Sequence, residues 1–512
     1  MSGQQAFQTH DRHADLVPFS PEFRNYFVEV HVPTNVRHWR LKHTPIFRVV
    51  LAAACLAGLF CLYFFGLDRC GLLSKDEPRY AAIGLEMARS GDLVMPVLWG
   101  KPWFEKPPLL YWMTAVAARA GIPGDLAPRL PVALVGAGFL VVFFATMTHE
   151  WGARVAALAT AVLATSTGWL AYSHVAVTDL PLSACFATGM FLLMKQPVSW
   201  RRAMASGVLL GLAVLAKGLV PLVLLLPAIW FLRREIRALV TVAGVTLLVA
   251  APWYIAIGMR AGGAFFEEFI WKQHFARFIS DISQHVQPWW YYGPVLLAGM
   301  TPWTPLAALV RARMFDDPRA RFLAAWFIWG LVFLSASRNK LPGYVLPLLP
   351  AAAVLLALAL DTASRAWAAV TLGASALLLC VFPMAERMLP TALLAGIRHT
   401  PLQFPVAQLI LIVALAAAVV VLELRQQQLV AVLAMSAAVA VAVTHFVYTT
   451  YPVLDRDVSA REVWRASVMQ RGRPCIAGGS WEFRFGLNYY FGFAVPDCTG
   501  SPGEAPLRPA GS

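Results

Sequence analysis

The sequence predicts an all-α protein that crosses a membrane many times. Of its 512 residues, 59% are hydrophobic and only 14% are charged, and the mean hydropathy is +0.61. Soluble domains contain about 25% charged residues. The hydrophobic residues form blocks of about 20 that are separated by short polar segments, and each block is long enough to cross a bilayer as a helix. One soluble core, or several, would not need this pattern.

The blocks predict about 13 membrane spans. Their bounds are 46–67, 126–148, 152–172, 177–194, 202–216, 218–232, 238–258, 291–310, 320–336, 343–360, 366–384, 404–422 and 428–449. Residues 1–45 are polar and carry basic side chains close to the first block, so we interpret them as a cytoplasmic tail before an uncleaved first helix. Residues 46–449 then form the membrane domain, and residues 450–512 form a short C-terminal segment.

The basic residues support this arrangement of spans. The net charge is +14, which in a soluble protein would suggest nucleic-acid binding. Here the basic residues lie between hydrophobic blocks, which is typical of cytoplasmic loops, and we expect no nucleic-acid partner. With the N-terminus inside, every cytoplasmic connection is basic; the residues are Arg154, Lys195, Arg201, Arg202, Arg233, Arg234, Arg237, Arg311, Arg313, Arg319, Arg321, Arg365 and Arg425. Residues 68–125, 259–290 and 450–512 are then external.

Five basic residues fall on the external side, where the charge rule does not explain them. They are Lys106, Lys217, Arg277, Arg338 and Lys340. They suggest an anionic ligand near the outer membrane surface. Contact with lipid headgroups, or local ion pairs, would explain any one of them equally well.

The first external region predicts two helices. Asp76, Glu77 and Pro78 begin a helix that runs to Ser90, and Gly91 ends it, because an acidic residue and proline suit a first turn and glycine suits a C-terminus. The amphipathic stretch 107–120 is too short to cross a membrane comfortably, so we expect it along the interface.

The external C-terminal segment predicts a small α/β unit. Alternation over 484–491 favours a small sheet. A disulfide between Cys475 and Cys498 is compatible with an external location, and the sequence leaves it open.

Carboxylates from three segments are expected on the same external face. Asp76 follows the first span, Glu105 precedes Lys106 on the return of the first loop, and Asp179 lies in the short turn between the third and fourth spans. A positioned carboxylate can activate a nucleophile, and cations can stabilise a phosphate leaving group. Asp76 could instead be an ordinary helix cap, and Asp179 an ordinary turn residue.

Several motifs resemble those of bacterial GT-C glycosyltransferases, over about residues 45–350. The similarity is closest to the aminoarabinose transferases of lipid A and to the protein O-mannosyltransferases. The motifs are Asp-Glu-Pro-Arg-Tyr-Ala at 76–81, Phe-Glu-Lys-Pro-Pro-Leu-Leu-Tyr-Trp at 104–112, Ala-Pro-Arg-Leu-Pro at 127–131, Thr-Asp at 178–179 and Lys-Leu-Pro-Gly-Tyr-Val-Leu-Pro at 340–347. The resemblance implies a GT-C fold in a bacterial inner membrane, with the N-terminus cytoplasmic and the C-terminus periplasmic.

The resemblance implies transfer of a sugar from a polyprenyl-phosphate-linked donor to a lipid or protein acceptor on the periplasmic side. The acceptor attacks the anomeric carbon with inversion, and polyprenyl phosphate leaves. Asp76 would be the catalytic carboxylate, while Glu105 and Asp179 would shape the acceptor side or orient Lys106. No cofactor and no metal is expected, and the other partners would be membrane lipids.

The same resemblance assigns the donor phosphate and the pocket wall. Lys106 would hold the phosphate; Arg277, Tyr344 and Lys340 would assist it. Three further residues, Tyr80, Trp103 and His274, would line the pocket. Trp103 departs from the tyrosine that is common at its position.

Three questions stay open at the level of sequence. The segment after 450 is shorter than in the lipid A enzymes, so the acceptor could be lipid A, a protein, another glycolipid or a cell-wall glycan. A second interpretation is a transporter or lipid-linked sugar flippase, but the ionisable residues lie in loops on one side and no internal repeat is visible. A third is a metal-dependent GT-C enzyme in which Asp76, Glu105 and Asp179 bind a divalent ion.

Overall fold

The computed structural model describes residues 45–276, 285–396, 399–403, 406–469 and 472–509. The chain divides into two units, Met1–Ala54 and Cys55–Ser512, and the packing described below is that of the second. Seven helices within the described residues are long and apolar enough to cross a membrane. They are Leu126–Ala164, Ile236–Ala261, Pro318–Ala336, Pro342–Asp361, Arg365–Ala395, Val406–Leu424 and Gln428–Asp457. The architecture is therefore the predicted all-α one, while the number of spans stays a prediction.

The helices follow the chain as a series of apolar rods joined by short turns. The first half has α1 (Pro45–Tyr63), α2 (Asp76–Ser90), α3 (Leu109–Arg119), α4 (Leu126–Ala164), α5 (Thr167–Ser173), α6 (Asp179–Met194), α7 (Trp200–Lys217), α8 (Val220–Leu224), α9 (Leu226–Phe231), α10 (Ile236–Ala261) and α11 (Gly263–Phe265). The second half has α12 (Tyr292–Gly299), α13 (Pro318–Ala336), α14 (Leu349–Asp361), α15 (Arg365–Leu377), α16 (Val381–Ala395), α17 (Val406–Leu424), α18 (Gln428–Asp457), α19 (Arg461–Val468) and α20 (Trp481–Phe491).

Irregular helical turns connect some of these rods. A π-helix covers Phe266–Ala276, and 3₁₀ turns cover Trp289–Tyr291, Thr304–Leu309, Ala312–Asp316, Pro342–Leu348 and Leu378–Cys380. The strands are short: β1 (Val97–Leu98) pairs antiparallel with β2 (Lys101–Pro102), and β3 (Arg473–Ile476) pairs parallel with β4 (Glu504–Leu507).

Several predicted spans are interrupted helices, and proline accounts for two of these interruptions. The predicted span 218–232 divides into α8 and α9, each with a proline in its first turn. The predicted span 291–310 divides into two 3₁₀ turns with α12 between them. Proline lacks an N–H and clashes with the preceding turn, so these proline-containing blocks do not continue as single rods. In contrast, the break predicted between the second and third spans is present, because Gly152 leaves helical geometry inside α4.

Small residues allow a close contact between helices α7 and α10. A Cβ on Gly207 or Gly211 of α7 would come within 2.7 or 2.6 Å of the Cβ of Val245 or Val249 on α10. Such spacing of small residues lets helix backbones approach in an apolar medium. The α7–α10 contact places Lys217, at the end of α7, at a fixed position.

The two helices predicted in the first external region are confirmed. α2 begins at Asp76, and Gly91 ends it in the left-handed conformation with φ 78°. α3 covers the predicted amphipathic stretch. Its location along a membrane interface stays a prediction.

The C-terminal segment contains a small α/β unit, but one of its elements was predicted wrongly. Residues 484–491 lie within helix α20, not in a sheet. Ser480 caps the start of α20 by accepting a hydrogen bond from the N–H of Phe483, and Gly492 ends it in the left-handed conformation. The buried residues of α20 recur at helical rather than alternating spacing, and this packing decides the structure. Cys475 and Cys498 form a disulfide that closes the unit.

Candidate active site

One large cavity lies between several loops of the helical domain and the C-terminal unit. Its volume is about 1310 Å³. Its walls come from α2, the β1–β2 hairpin, residues 171–179, the end of α7, the π-helix, residues 341–344 and α20. Seven of the residues predicted for the site line it: Asp76, Tyr80, Trp103, Glu105, Lys106, Asp179 and Tyr344. The sequence motifs therefore converge in space as expected.

Arg79 connects two of the three predicted carboxylates. Its guanidinium donates to Oδ1 of Asp76 and, at 2.9 Å, to Oε2 of Glu105. A third bond, from Nε to the carbonyl of Lys75 at 2.9 Å, fixes its orientation. Burial lowers the pKa of Arg79, but Glu105, Tyr80 and Asp76 outweigh this effect and raise it. Arg79 thus stays charged and holds both carboxylates in place.

Glu105 is the centre of the polar wall. It is buried, and in addition to Arg79 it accepts a hydrogen bond from the Tyr80 hydroxyl at 3.3 Å and pairs with Lys106 Nζ at 3.4 Å. Burial, together with the nearby charges of Glu105 and Asp76, raises the pKa of Tyr80 well above its ordinary value. Tyr80 therefore remains a hydrogen-bond donor at neutral pH. Asp76 is more exposed than Glu105: 38% of its side chain is accessible, and it faces the cavity.

Asp179 pairs with a lysine on a different helix. Lys217 donates to Oδ1 of Asp179 at 2.5 Å, and its Nζ lies 4.3 Å from the centre of the Tyr344 ring. Gly343 makes this arrangement possible. A Cβ at Gly343 would come within 2.6 Å of both Asp179 Oδ1 and the Tyr172 hydroxyl.

Glu77, the neighbour of Asp76, faces away from the cavity into the protein. Arg129 donates to its two oxygens at 2.7 and 2.8 Å. The N–H groups of Leu73 and Ala176 donate to the same carboxylate, each at 2.9 Å. Glu77 thus joins the loop that carries Asp76 to the segment that carries Asp179.

Three of the predicted site residues are not placed in the cavity by the described structure. Lys340 does not line the cavity: its buried Nζ donates to the carbonyls of Ser337 and Gln287, and its role toward the donor phosphate stays a prediction. Arg277 and the side chain of His274 lie outside the described residues, so their roles stay predictions.

Several cavity residues received no role from the sequence. Lys217 was noted as an external cation, which was the available signal, but its pairing with Asp179 was not foreseen. Tyr172 lies in a predicted span and gave no signal. From the C-terminal unit, the cavity is lined by Trp481, Arg484, Phe485, Asn488, Ala494 and Val495. These residues are far from the other cavity residues in the sequence, so no local pattern predicts that they line the cavity.

The carboxylates of the cavity are each paired with a cation. Arg79, Lys106 and Lys217 occupy positions beside the oxygens that a divalent ion would use. In the part of the chain that the structure describes, one group of three has metal-ligand spacing: Cys475, Cys498 and Glu504. Its cysteines are joined in the disulfide.

Comparison with solved structures identifies this arrangement of helices and cavity. The crystal structure of ArnT from Cupriavidus metallidurans bound to undecaprenyl phosphate has a TM-score of 0.72 and 26% identity, over 88% of this chain and 86% of that one. The apo form of the same protein gives 0.71 and 25%. The family described as dolichyl-phosphate-mannose-protein mannosyltransferase (PMT) matches residues 49–263. The chain has the GT-C fold and is ArnT- and PMT-like.

Curated relatives give the same result for about 60% of the chain. The undecaprenyl phosphate-alpha-4-amino-4-deoxy-L-arabinose arabinosyl transferase of Serratia proteamaculans is 33% identical over 325 residues, which are 60% of this chain and 58% of the relative. The protein of the same description from Pseudomonas aeruginosa is 33% identical over 343 residues, 63% of this chain and 61% of the relative. The chain thus spans less than two thirds of the length of these relatives.

Proposed function

We propose that this protein is a membrane glycosyltransferase. It transfers a sugar from a polyprenyl-phosphate-linked donor to a lipid or protein acceptor, on the side of the membrane where the cavity opens. The observation that carries the proposal is the cavity itself. Asp76 is exposed to it, while Arg79, Lys106 and Lys217 bring positive charge to the same space.

Asp76 is proposed as the catalytic carboxylate. As the acceptor oxygen bonds to the anomeric carbon, the bond between that carbon and the phosphate oxygen breaks and the acceptor proton passes to Asp76. Arg79 orients Asp76 through its hydrogen bond and holds Glu105 beside it. A fixed carboxylate of this kind contributes roughly 10²- to 10⁴-fold to a rate.

Lys106 and Lys217 are proposed to stabilise the phosphate that leaves. Negative charge accumulates on the phosphate oxygens as the glycosidic bond breaks, and cations placed beforehand lower the energy of that state. Tyr344 packs against Lys217, at 4.3 Å from ring centre to Nζ, and limits its movement. Arg277 and His274 are proposed as further contacts from the adjacent external segment.

The proposed donor and acceptor follow from the similarity to ArnT and to the arabinosyl transferases. The donor is undecaprenyl phosphate carrying 4-amino-4-deoxy-L-arabinose, or a related sugar, and the first acceptor to test is lipid A. A protein acceptor, as in the PMT family, is the alternative. The proposed location is a bacterial inner membrane, with residues 1–45 cytoplasmic and the C-terminal segment, from 450, periplasmic.

A reconstituted assay tests the proposal. The purified protein in liposomes receives radiolabelled undecaprenyl phosphate-4-amino-4-deoxy-L-arabinose and purified lipid A, and labelled product is measured. Wild type is expected to transfer the sugar, and Asp76→Asn to lose at least about 10²-fold in rate. Glu86→Gln is the control, because Glu86 is an acidic residue of the same helix that does not line the cavity.

Two results would contradict the proposal. Equal transfer by wild type and Asp76→Asn would exclude Asp76 as the catalytic carboxylate. Movement of intact donor across the bilayer, without cleavage of its glycosidic bond, would identify a flippase instead.

A further inference from the structure

Three aromatic side chains form a continuous row on one wall of the cavity. Trp99 stacks on Phe485 with ring centres 5.7 Å apart and 22° between the planes, and Phe485 is followed by Trp481 at 5.6 Å and 32°. We name this row, Trp99, Phe485 and Trp481, the aromatic platform. All three residues line the cavity, and Trp481 is 60% exposed, so the outer end of the platform is open to solvent.

The platform lies next to the proposed catalytic carboxylate. The guanidinium carbon of Arg79 is 5.2 Å from the centre of the Phe485 ring and 5.5 Å from that of Trp103. The same guanidinium donates to Asp76. One side chain therefore separates the platform from Asp76, and a molecule bound on the platform would extend toward the reacting atoms.

The backbone at Trp99 is held in an unusual conformation. Trp99 has φ 48° at the tip of the β1–β2 hairpin, and Gly100 follows with φ 81°. Positive φ is a strained conformation for a bulky residue, and such strain clusters at functional sites. In this hairpin the strained turn directs the Trp99 ring onto Phe485 of the C-terminal unit.

Two indole N–H groups at the platform have no protein partner. Nε1 of Trp99 and Nε1 of Trp103 are both buried, and neither has a hydrogen-bond partner among the described residues. A buried donor without a partner costs about 1–3 kcal/mol, so native structures rarely leave one. Both residues line the cavity with other atoms of their side chains.

Cations surround the outer end of the platform. Arg484 and Lys101 line the cavity beside it, and the guanidinium carbon of Arg484 is 5.7 Å from the Trp481 ring centre. Arg484 pairs with Asp497. Lys75, also at the cavity wall, pairs with Glu482 at 3.8 Å. These side chains add positive charge to a surface that is otherwise flat and apolar.

We propose that the aromatic platform binds a sugar ring of the acceptor that carries an anionic substituent. This proposal rests on the proposed function, because it assigns the acceptor side of the same cavity. The apolar C–H face of a pyranose packs against flat aromatic rings, and the anionic substituent binds Arg484 or Lys101. The C-terminal unit then determines which acceptors the enzyme uses, and this unit lies outside the stretch 49–263 that matches the PMT family.

A binding measurement tests the platform without requiring catalysis. Purified protein in detergent is titrated by calorimetry with the bisphosphorylated glucosamine disaccharide of lipid A, freed of its acyl chains. Trp481→Ala is expected to weaken binding about tenfold, since an aromatic contact of this kind is lost. Trp481→Phe retains a flat ring and is expected to bind within about threefold of wild type. Trp200→Ala is the control, because Trp200 is 65% exposed and does not line the cavity.

A second pair of ligands tests whether the cavity recognises the anionic substituent. The same disaccharide without phosphates is expected to bind at least about tenfold more weakly than the phosphorylated one. The double variant Arg484→Gln with Lys101→Gln should remove this preference.

Three results would overturn the inference: no binding of the phosphorylated disaccharide to wild type, equal binding by Trp481→Ala and Trp200→Ala, or equal binding of the two disaccharides.

Catalytic variants separate this inference from the proposed function. Asp76→Asn is expected to bind the disaccharide like wild type while failing to transfer sugar to lipid A. In the transfer assay, Trp481→Ala should raise the apparent KM for lipid A about tenfold. If Asp76→Asn transfers normally, the proposed function fails, and the calorimetric result still decides the platform.

Discussion

Arg129 donates two hydrogen bonds to the carboxylate of Glu77, at 2.7 and 2.8 Å, and both side chains are almost completely buried. The guanidinium also donates to the carbonyls of Leu67 and Gly71, at 2.8 and 3.0 Å. The pair therefore fastens the end of the first span to the loop that precedes Asp76. Because Glu77 also accepts from Ala176, it fixes the distance between the two segments that carry Asp76 and Asp179.

Glu77→Gln is expected to destabilise the protein strongly. The substitution leaves the charge of Arg129 buried without its partner, and such a loss costs about 3–5 kcal/mol. Arg129→Lys should behave similarly, because lysine cannot donate two parallel bonds in a fixed plane. Thermal unfolding in detergent measures the effect, with Glu86→Gln, a partly exposed position on the same helix, as the control. An unchanged Tm in both variants would mean that the pair does not hold the loops.

Gly343→Ala is expected to disrupt the cavity without removing any functional group. The new Cβ would lie 2.6 Å from Asp179 Oδ1 and from the Tyr172 hydroxyl, so one of these side chains must move. We expect either a rise of about tenfold in the apparent KM for the donor or a fall of about tenfold in the rate of sugar transfer. A small displacement of the positioned groups lowers the rate of reaction. Gly244→Ala is the matched control, because nothing lies within 4 Å of a Cβ there. Equal kinetics in the two variants would contradict the tight packing at Gly343.

Lys217 pairs with Asp179 and is also proposed to bind the donor phosphate, and a pair of variants separates these two roles. Lys217→Met leaves the carboxylate of Asp179 without its partner, and the double variant Lys217→Met with Asp179→Asn removes that unpaired charge. If Lys217 also binds phosphate, the double variant should regain thermal stability while the apparent donor KM stays about tenfold above wild type. Recovery of both properties would limit Lys217 to orienting Asp179.

The convergence of Asp76, Tyr80 and Glu105 in the cavity was predictable because these residues lie in short local motifs. The motifs belong to two stretches of one loop, and charge parity predicts that this loop is external. Hydropathy also predicted the helical architecture. The start and end of α2 followed from an acidic first turn and a terminal glycine, which act over only a few residues.

The remaining features depend on contacts between distant parts of the chain. The position of Lys340 in the sequence predicts an external cation, but its Nζ donates hydrogen bonds to two carbonyls of the protein. Phe485 lies about 380 residues after Trp99, and no local pattern indicates that they stack. Residues 484–491 alternate like a strand, yet capping by Ser480 and burial of one face make them helical. Such outcomes are set by tertiary packing, which overrides local propensity.

The disulfide is expected to matter for the acceptor side more than for the membrane domain. Cys475 and Cys498 are 23 residues apart, and closing a loop of this size stabilises a fold by roughly 3 kcal/mol. Cys475→Ser should therefore increase proteolysis within 473–509 while the membrane helices stay resistant. The transfer assay should show a higher apparent KM for lipid A and slow hydrolysis of the donor unchanged. A rise in donor KM instead would indicate that the C-terminal unit supports the donor side.

The ion pair between Asp92 and Arg260 makes the stability of the folded protein depend on pH in the acidic range. Arg260 donates to both oxygens of Asp92 at 2.7 Å. These hydrogen bonds lower the pKa of Asp92 to about 2. Burial opposes the shift, and the N–H groups of Val94 and Met95 assist it. The folded state therefore binds the Asp92 proton less tightly than the unfolded state. The resulting stability is complete above about pH 4 and is lost as the pH falls toward 2.

The Asp92 carboxylate is partly exposed, so solvent screening limits the contribution to about 1 kcal/mol or less. Asp92→Asn should lower the Tm at pH 7 by a small amount, and the difference from wild type should shrink between pH 4 and pH 2. Thermal unfolding of both proteins across that range measures the effect. Addition of 1 M salt should reduce the difference at pH 7, because the pair is accessible to ions. If the difference in Tm between the two proteins stays constant with pH, Asp92→Asn destabilises the protein for a reason other than the lost charge.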